Sequence, residues 1–154
     1  MRRIVIIGNS GSGKSTLAGK LATEHALQAL DLDTVTWASP GVRRELSESR
    51  ADLDTFIAEH DAWVIEGCYA SLAEHALPHC TELVFLDPGV EACVAHNEAR
   101  PWEPHKYPSK QAQDDNLAML QQWVRDYYTR DDEYSHAAHL RVFDAFAGAK
   151  RRVT

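Results

Sequence analysis

Gly8-Asn9-Ser10-Gly11-Ser12-Gly13-Lys14-Ser15 sets two glycines, a lysine and a hydroxyl at the spacing G-x-x-x-x-G-K-[ST]. Glycines let the backbone curl until successive amide N–H groups point inward at phosphate oxygens, and a helix that follows adds the positive end of its dipole. In that arrangement Lys14 reaches the β- and γ-phosphates of a nucleoside triphosphate, and the Ser15 hydroxyl ligates Mg²⁺. Thr16 follows on the first helical turn and joins Gly8, Asn9, Ser10, Gly11, Ser12, Gly13, Lys14 and Ser15 as a nucleotide-contacting residue. Average residue usage gives roughly 0.005 chance matches in a chain of this length. The competing reading is a plain Gly/Ser turn between a strand and a helix.

Acidic residues form the second set. Asp33, Glu66 and Asp87 follow short apolar runs, and ligands of open α/β sheets bind at the carboxyl ends of strands. Glu66 after Trp63-Val64-Ile65 and Asp87 after Leu83-Val84-Phe85-Leu86 each have the form of a Mg²⁺-associated carboxylate, and only one of them need hold the metal. Either could instead be a cap or turn residue, Asp87 especially, since Pro88 follows. His75 with His79, and Cys93 with His96, have spacings that could build a zinc site if two helices met.

The elements that must carry these residues alternate. Arg2 to Ile7 reads as a buried strand and Lys14 to Ala22 as a helix with Leu17 and Leu21 on one face. Leu27 to Leu32 is a second strand ending at Asp31 and Asp33, and Leu46 to His60 a helix. Ala62 to Glu66 is a third strand closed by Gly67, with Ser71 and Glu74 predicting a capping box for the next helix. Glu82 to Leu86 is a fourth strand, followed by a helix over Val90 to Ala99. Pro101, Pro104 and Pro108 enforce a loop, Gln111 to Tyr128 and Ser135 to Ala147 are helical, and Lys150 to Thr154 reads as a tail. Strands alternating with helices predict a three-layer α/β fold, a parallel sheet of about five strands with helices on both faces. Residues 1–154 read as one domain.

At 154 residues the chain can bury about 68–70% of its unfolded surface. Sixteen Lys and Arg against twenty-three Asp and Glu leave a net charge of −7, which opposes non-specific attraction to nucleic acid and anionic membrane. No apolar stretch approaches membrane length, and the odd count of three cysteines without a C-x-x-C pair predicts reduced thiols; the expectation is a cytoplasmic protein.

The phosphate loop, Leu32-Asp33 with Trp37, the segment Trp63 to Tyr69, and Leu83 to Asp87 together resemble the small P-loop kinases related to adenylate and shikimate kinases. They look closest to the branch of topology-modulation proteins, with the likeness covering residues 1 to 100. The resemblance implies a P-loop NTPase fold with a helical or lid insertion. It implies ATP and Mg²⁺ on Lys14 and Ser15, a small-molecule acceptor at Asp33, and a mobile lid beginning at Arg100. The chain departs from that pattern at Cys68, where Asn is usual, and at His96, where Arg is common. It also ends before an expected fifth strand, which leaves base selectivity open.

Residues 100 to 134 read as a candidate lid and the helix after it: Arg100 to Lys110 packs cations and aromatics into a proline-stiffened loop, and Trp123, Arg125, Tyr127, Tyr128 and Arg130 follow on the helix. Trp102 and Tyr107 could stack on a ring while Arg100, Lys106 and Lys110 meet phosphate, or they could pin an irregular loop onto the core. Arg43 or Arg44 could hold an acidic group of the acceptor, or serve as solvated helix-terminal charges. The resulting expectation is ATP-dependent phosphoryl transfer, with Lys14, Asp33 and Arg100 catalytic and Lys106 on the nucleotide. Two rivals are a nucleotide-hydrolysing regulatory module acting through a partner and a nucleic-acid-associated modulator.

Overall fold

In a computed structural model that describes all 154 residues, the chain runs β1 (Arg3–Gly8), α1 (Lys14–His25), β2 (Gln28–Asp31), α2 (Asp33–Thr36), β3 (Trp37–Ser39) and β4 (Val42–Arg43). There follow α3 (Leu46–Glu59), β5 (Trp63–Gly67), α4 (Ala70–Ala76), β6 (Glu82–Leu86), α5 (Val90–Glu98), α6 (Lys110–Arg125), α7 (His136–Ala145) and β7 (Ala149–Val153). The main sheet is parallel, in the order β2-β5-β1-β6-β7, and β3 and β4 form a separate antiparallel hairpin.

The central strand explains its own sequence. Side chains alternate between faces with period two, so a strand covered on both sides must be apolar throughout. Val5 and Ile7 join one cluster with Leu32, Leu53, Phe85 and Val142, while Ile4 and Ile6 join another with Ala18 and Leu21 of α1. Helices therefore cover both faces of β1. A smaller cluster of Cys93, Val94 and Val124 locks α5 to α6. Asn9 Nδ2 donates to Val124 O (3.2 Å), which ties the glycine loop to α6.

Several expectations need correction. Residues 149–153 are not a tail: they form the fifth parallel strand, with Asp87 N donating to Val153 O (2.7 Å) and β7 paired along β6. All five residues of β7 are exposed, so no apolar run announced the strand. Ser71 does not form a capping box with Glu74. Its hydroxyl and amide instead donate to Glu133, sixty-two positions away, and α4 has no side-chain cap. The second strand stops at Asp31, and Asp33 opens the short α2. The hairpin β3–β4 was not anticipated.

Arg44 is committed to structure, bonding Asp52 Oδ2 (2.6 Å) and Val35 O (3.1 Å). No helix is long and apolar enough to cross a membrane.

Candidate active site

The glycine loop spans the turn from β1 into α1. Gly13 sits at the N-cap of α1 with φ 97°, and Gly11 has φ 79°, backbone that L side chains seldom adopt. A Cβ on Gly11 would lie 2.4 Å from Cys93 O, so helix α5 supports the loop at close range. His96 of the same helix hydrogen-bonds Gly11 O through Nδ1 (2.6 Å). Lys14 Nζ donates to Asn9 O (2.6 Å), which holds a buried ammonium within the loop, not out in solvent.

Glu66 and Asp87 end the two strands that flank β1, and the structure separates them. Glu66 Oε1 accepts from Ser15 Oγ (2.9 Å), beside the first turn of α1. Burial pushes its carboxyl up, with the charge of Asp31 adding to the effect and Lys14 and the Ser15 hydroxyl opposing it; the result is about 7. Asp87, in contrast, does not turn to Ser15. Its Oδ1 accepts from Tyr128 (2.5 Å), and its Oδ2 faces Arg152 (2.6 Å) and His136 (3.2 Å). Burial alone would raise Asp87, but the Tyr128, Arg152 and His136 partners hold it below the usual carboxylate range. The expectation that Asp87 serves a metal beside the loop gives way to a structural ion cluster joining β6, α7 and β7.

Asp33 belongs to a different constellation. Its Oδ1 accepts from the Tyr69 hydroxyl (2.5 Å), which itself accepts from Trp37 Nε1 (2.8 Å). Its Oδ2 accepts from Lys106 Nζ (3.0 Å). Burial raises the Asp33 carboxyl, yet Lys106 and Tyr69 outweigh it and hold it ionised below the ordinary range. Lys106 therefore reaches the aspartates, also approaching Asp31 (4.0 Å), where the sequence had assigned it to the nucleotide. Arg100 contacts Glu103 (3.6 Å).

Two clefts open on this edge of the sheet. One, of about 830 Å³, runs from Lys14 and Ser15 past Glu66 to Asp31, Asp33 and Trp37. The other, of about 890 Å³, runs from the loop along Thr16 and Lys20 to Trp102, Arg151 and Val153. Gly11, Lys14, Ser15, Arg100, His105 and Lys106 line both. The prolines leave residues 99–109 outside any helix, and the segment is moored to α6. Gln113 bonds Glu103 N (2.8 Å) and Pro101 O (3.1 Å), and Asn116 donates to the Tyr107 hydroxyl (3.0 Å).

Sequence reasoning gave no role to Tyr69, although it stands three residues after Glu66, nor to the buried His139. His139 Nε2 bonds Cys68 O (2.7 Å) and its Nδ1 bonds the Tyr127 hydroxyl (2.7 Å), fixing the turn that aims Tyr69 at Asp33. Burial lowers this imidazole to about 4, so it is neutral. Only a histidine set among the apolar residues of α7 could have signalled it. The four zinc candidates do not converge: His75 bonds Asp54 (2.7 Å), His96 bonds the loop, and no metal-binding group of three ligands forms.

A family model described as an AAA domain matches residues 4–151. No curated protein sequence matches the chain. Among solved structures, the unliganded crystal structure of a sugar kinase from Janibacter sp. HTCC2649 is similar, with a TM-score of 0.54. That match covers 99% of this chain and 84% of the other at 16% identity, so the likeness is one of fold.

Proposed function

The chain belongs to the AAA domain family and has the fold of a P-loop kinase, and from that premise we propose that it is an ATP-dependent phosphotransferase acting on a small molecule. The observation that carries the reading is the meeting of two clefts at one phosphate loop. A plain hydrolase needs room for a nucleotide and a water, whereas this edge offers a second cleft of similar size lined by an ionised aspartate.

In this reading the nucleotide lies along Thr16, Lys20 and Trp102, its phosphates in the loop from Gly8 to Thr16, with Lys14 meeting the β- and γ-phosphates. Ser15 Oγ and the Glu66 carboxylate offer adjacent hard oxygen donors, and Glu66 is buried without a full cationic partner, a donor set that fits Mg²⁺. When bound there, Mg²⁺ neutralises phosphate charge. The acceptor hydroxyl lies beside Asp33. Its oxygen forms the new bond to the γ-phosphorus as the bond to the β,γ-bridging oxygen breaks and that electron pair leaves on ADP. The hydroxyl proton passes to the Asp33 carboxylate. An aspartate held below the ordinary carboxylate range is a weak base, so its main work is to orient the hydroxyl, which suffices for a loose transition state. Residues 99–109, carrying Arg100 and Lys106, act as the lid that closes on the phosphates and excludes water.

The test pairs calorimetry with acceptor-dependent ADP release. Lys14→Ala should weaken Mg·ATP binding about 10–100-fold and abolish turnover with the fold intact by circular dichroism. Unchanged Mg·ATP affinity in that variant would remove the reading.

A further inference from the structure

We infer that the acceptor carries an ammonium group beside its phosphorylated hydroxyl, as amino sugars and amino alcohols do; this rests on the phosphotransfer reading above. Three carboxylates line the acceptor cleft together. Asp31 and Glu66 are register partners across β2 and β5, and Asp33 stands two residues beyond. The cation that faces the two aspartates is the Lys106 ammonium, 3.0 Å from Asp33 and 4.0 Å from Asp31, and it arrives on the 99–109 segment. A ligand ammonium seated between those aspartates would take over the contacts that Lys106 now makes. Lys106 would then keep only its Glu103 contact (3.6 Å), on its own segment, and could turn with that segment to the phosphates, where negative charge is greatest.

Arg43 and Arg44 offer nothing to an acid. Arg43 is bound to Glu133 (2.5 Å) and stacked 5.7 Å from the rings of both Tyr69 and Tyr134. Arg44 is held by Asp52 and Glu48. Neither lines the cleft. With Glu66 on Mg²⁺, an acidic acceptor would thus face Asp31 and Asp33, and the cations lining the cleft, Lys14, Lys106 and Arg100, are those given above to the phosphates. A neutral polyol that displaced Lys106 would leave Asp31 and Asp33 side by side with only the more distant Lys14 to offset them, a costly arrangement in a half-buried site. The walls agree, because Trp37, Tyr107 and Trp123 present aromatic rings around the same space, and ring faces attract ammonium groups. In the reaction the ammonium keeps its protons and serves recognition alone; the hydroxyl oxygen takes the phosphoryl group.

Charge can be varied on one scaffold. The full-length protein, saturated with Mg²⁺ and a non-hydrolysable ATP analogue, is titrated with glucosamine, glucose and gluconate, following tryptophan fluorescence. Glucosamine should bind about ten-fold or more tighter than glucose, with gluconate weakest. Asp31→Asn should shrink the glucosamine-to-glucose ratio to about three-fold or less while Mg·analogue affinity stays within about two-fold. Glucose or gluconate binding as tightly as glucosamine, no binding of glucosamine, or an unchanged ratio in Asp31→Asn would each overturn the inference. Failure of the wild-type protein to bind the Mg·analogue would instead strike the phosphotransfer reading on which it stands.

Discussion

Glu66 and Asp87 occupy mirrored places, one on each side of β1, each ending a buried apolar strand, and their surroundings give them opposite chemistry. Asp87 has its cation already. Arg152 from β7 and His136 from α7 close on one oxygen and Tyr128 on the other, so the carboxylate is satisfied inside the protein. Glu66 has no such cation closing on it, and burial, with Asp31 and Asp33 nearby, raises its proton affinity against the opposing pull of Lys14 and the Ser15 hydroxyl. A buried carboxylate short of positive charge, set beside a phosphate loop, is prepared to gain from an incoming cation; one whose cation is fixed on a neighbouring strand of the sheet is not. Burial is common to both. The partner decides which of them is available to a ligand.

The strongest way to break that comparison is by metal dependence. Glu66→Gln should raise the Mg²⁺ concentration needed for ATP binding about 10–100-fold, and Asp87→Asn should leave it within about two-fold, measured by calorimetry across a Mg²⁺ series. Equal losses in the two variants would erase the distinction. Next in size is stability. Asp87→Asn removes the charge that Arg152 and His136 converge on, and urea denaturation should show a loss of about 1–2 kcal/mol, whereas Glu66→Gln should show none at neutral pH.

A third test sharpens the comparison through pH. The Glu66 carboxyl is raised from an ordinary 4.5 to about 7, so the folded state holds the proton more tightly than the unfolded chain. Its contribution to stability is therefore greatest below 4.5, falls as pH rises through this window, and remains a penalty above 7. Asp87 is depressed, so its contribution is present above the ordinary aspartate range and is lost as pH falls through the folded value. Thermal melts of Glu66→Gln against wild type should thus show the variant relatively more stable at pH 8, with the advantage shrinking toward pH 5. A difference independent of pH would mean that Glu66 does not titrate in this window.

How far the site could be read in advance depended on the range of the interactions that build it. The loop, its flanking strand and its helix were legible because their signals are local: a four-residue apolar run, glycines at backbone positions with positive φ, and a lysine and serine opening a helix. Strands β5 and β6 were legible for the same reason. Strand β7 was not, because Ala149–Val153 is an exposed edge whose only strand-forming influence is the neighbouring β6. The capping box at Ser71 followed a sound local rule and lost to Glu133, a better-placed acceptor brought in by the fold.

By itself, then, the chain's sequence determined that a phosphate loop lies at the carboxyl edge of a parallel sheet and that acids gather near it, since turn chemistry and strand periodicity act over a few residues. Tertiary structure alone decided which acid faces Ser15, that Lys106 meets Asp33 across seventy-three positions, and that Tyr69 completes the aspartate's shell. Those pairings carry no local signature. They are set by which strands lie side by side and by the burial that makes each unpaired charge costly.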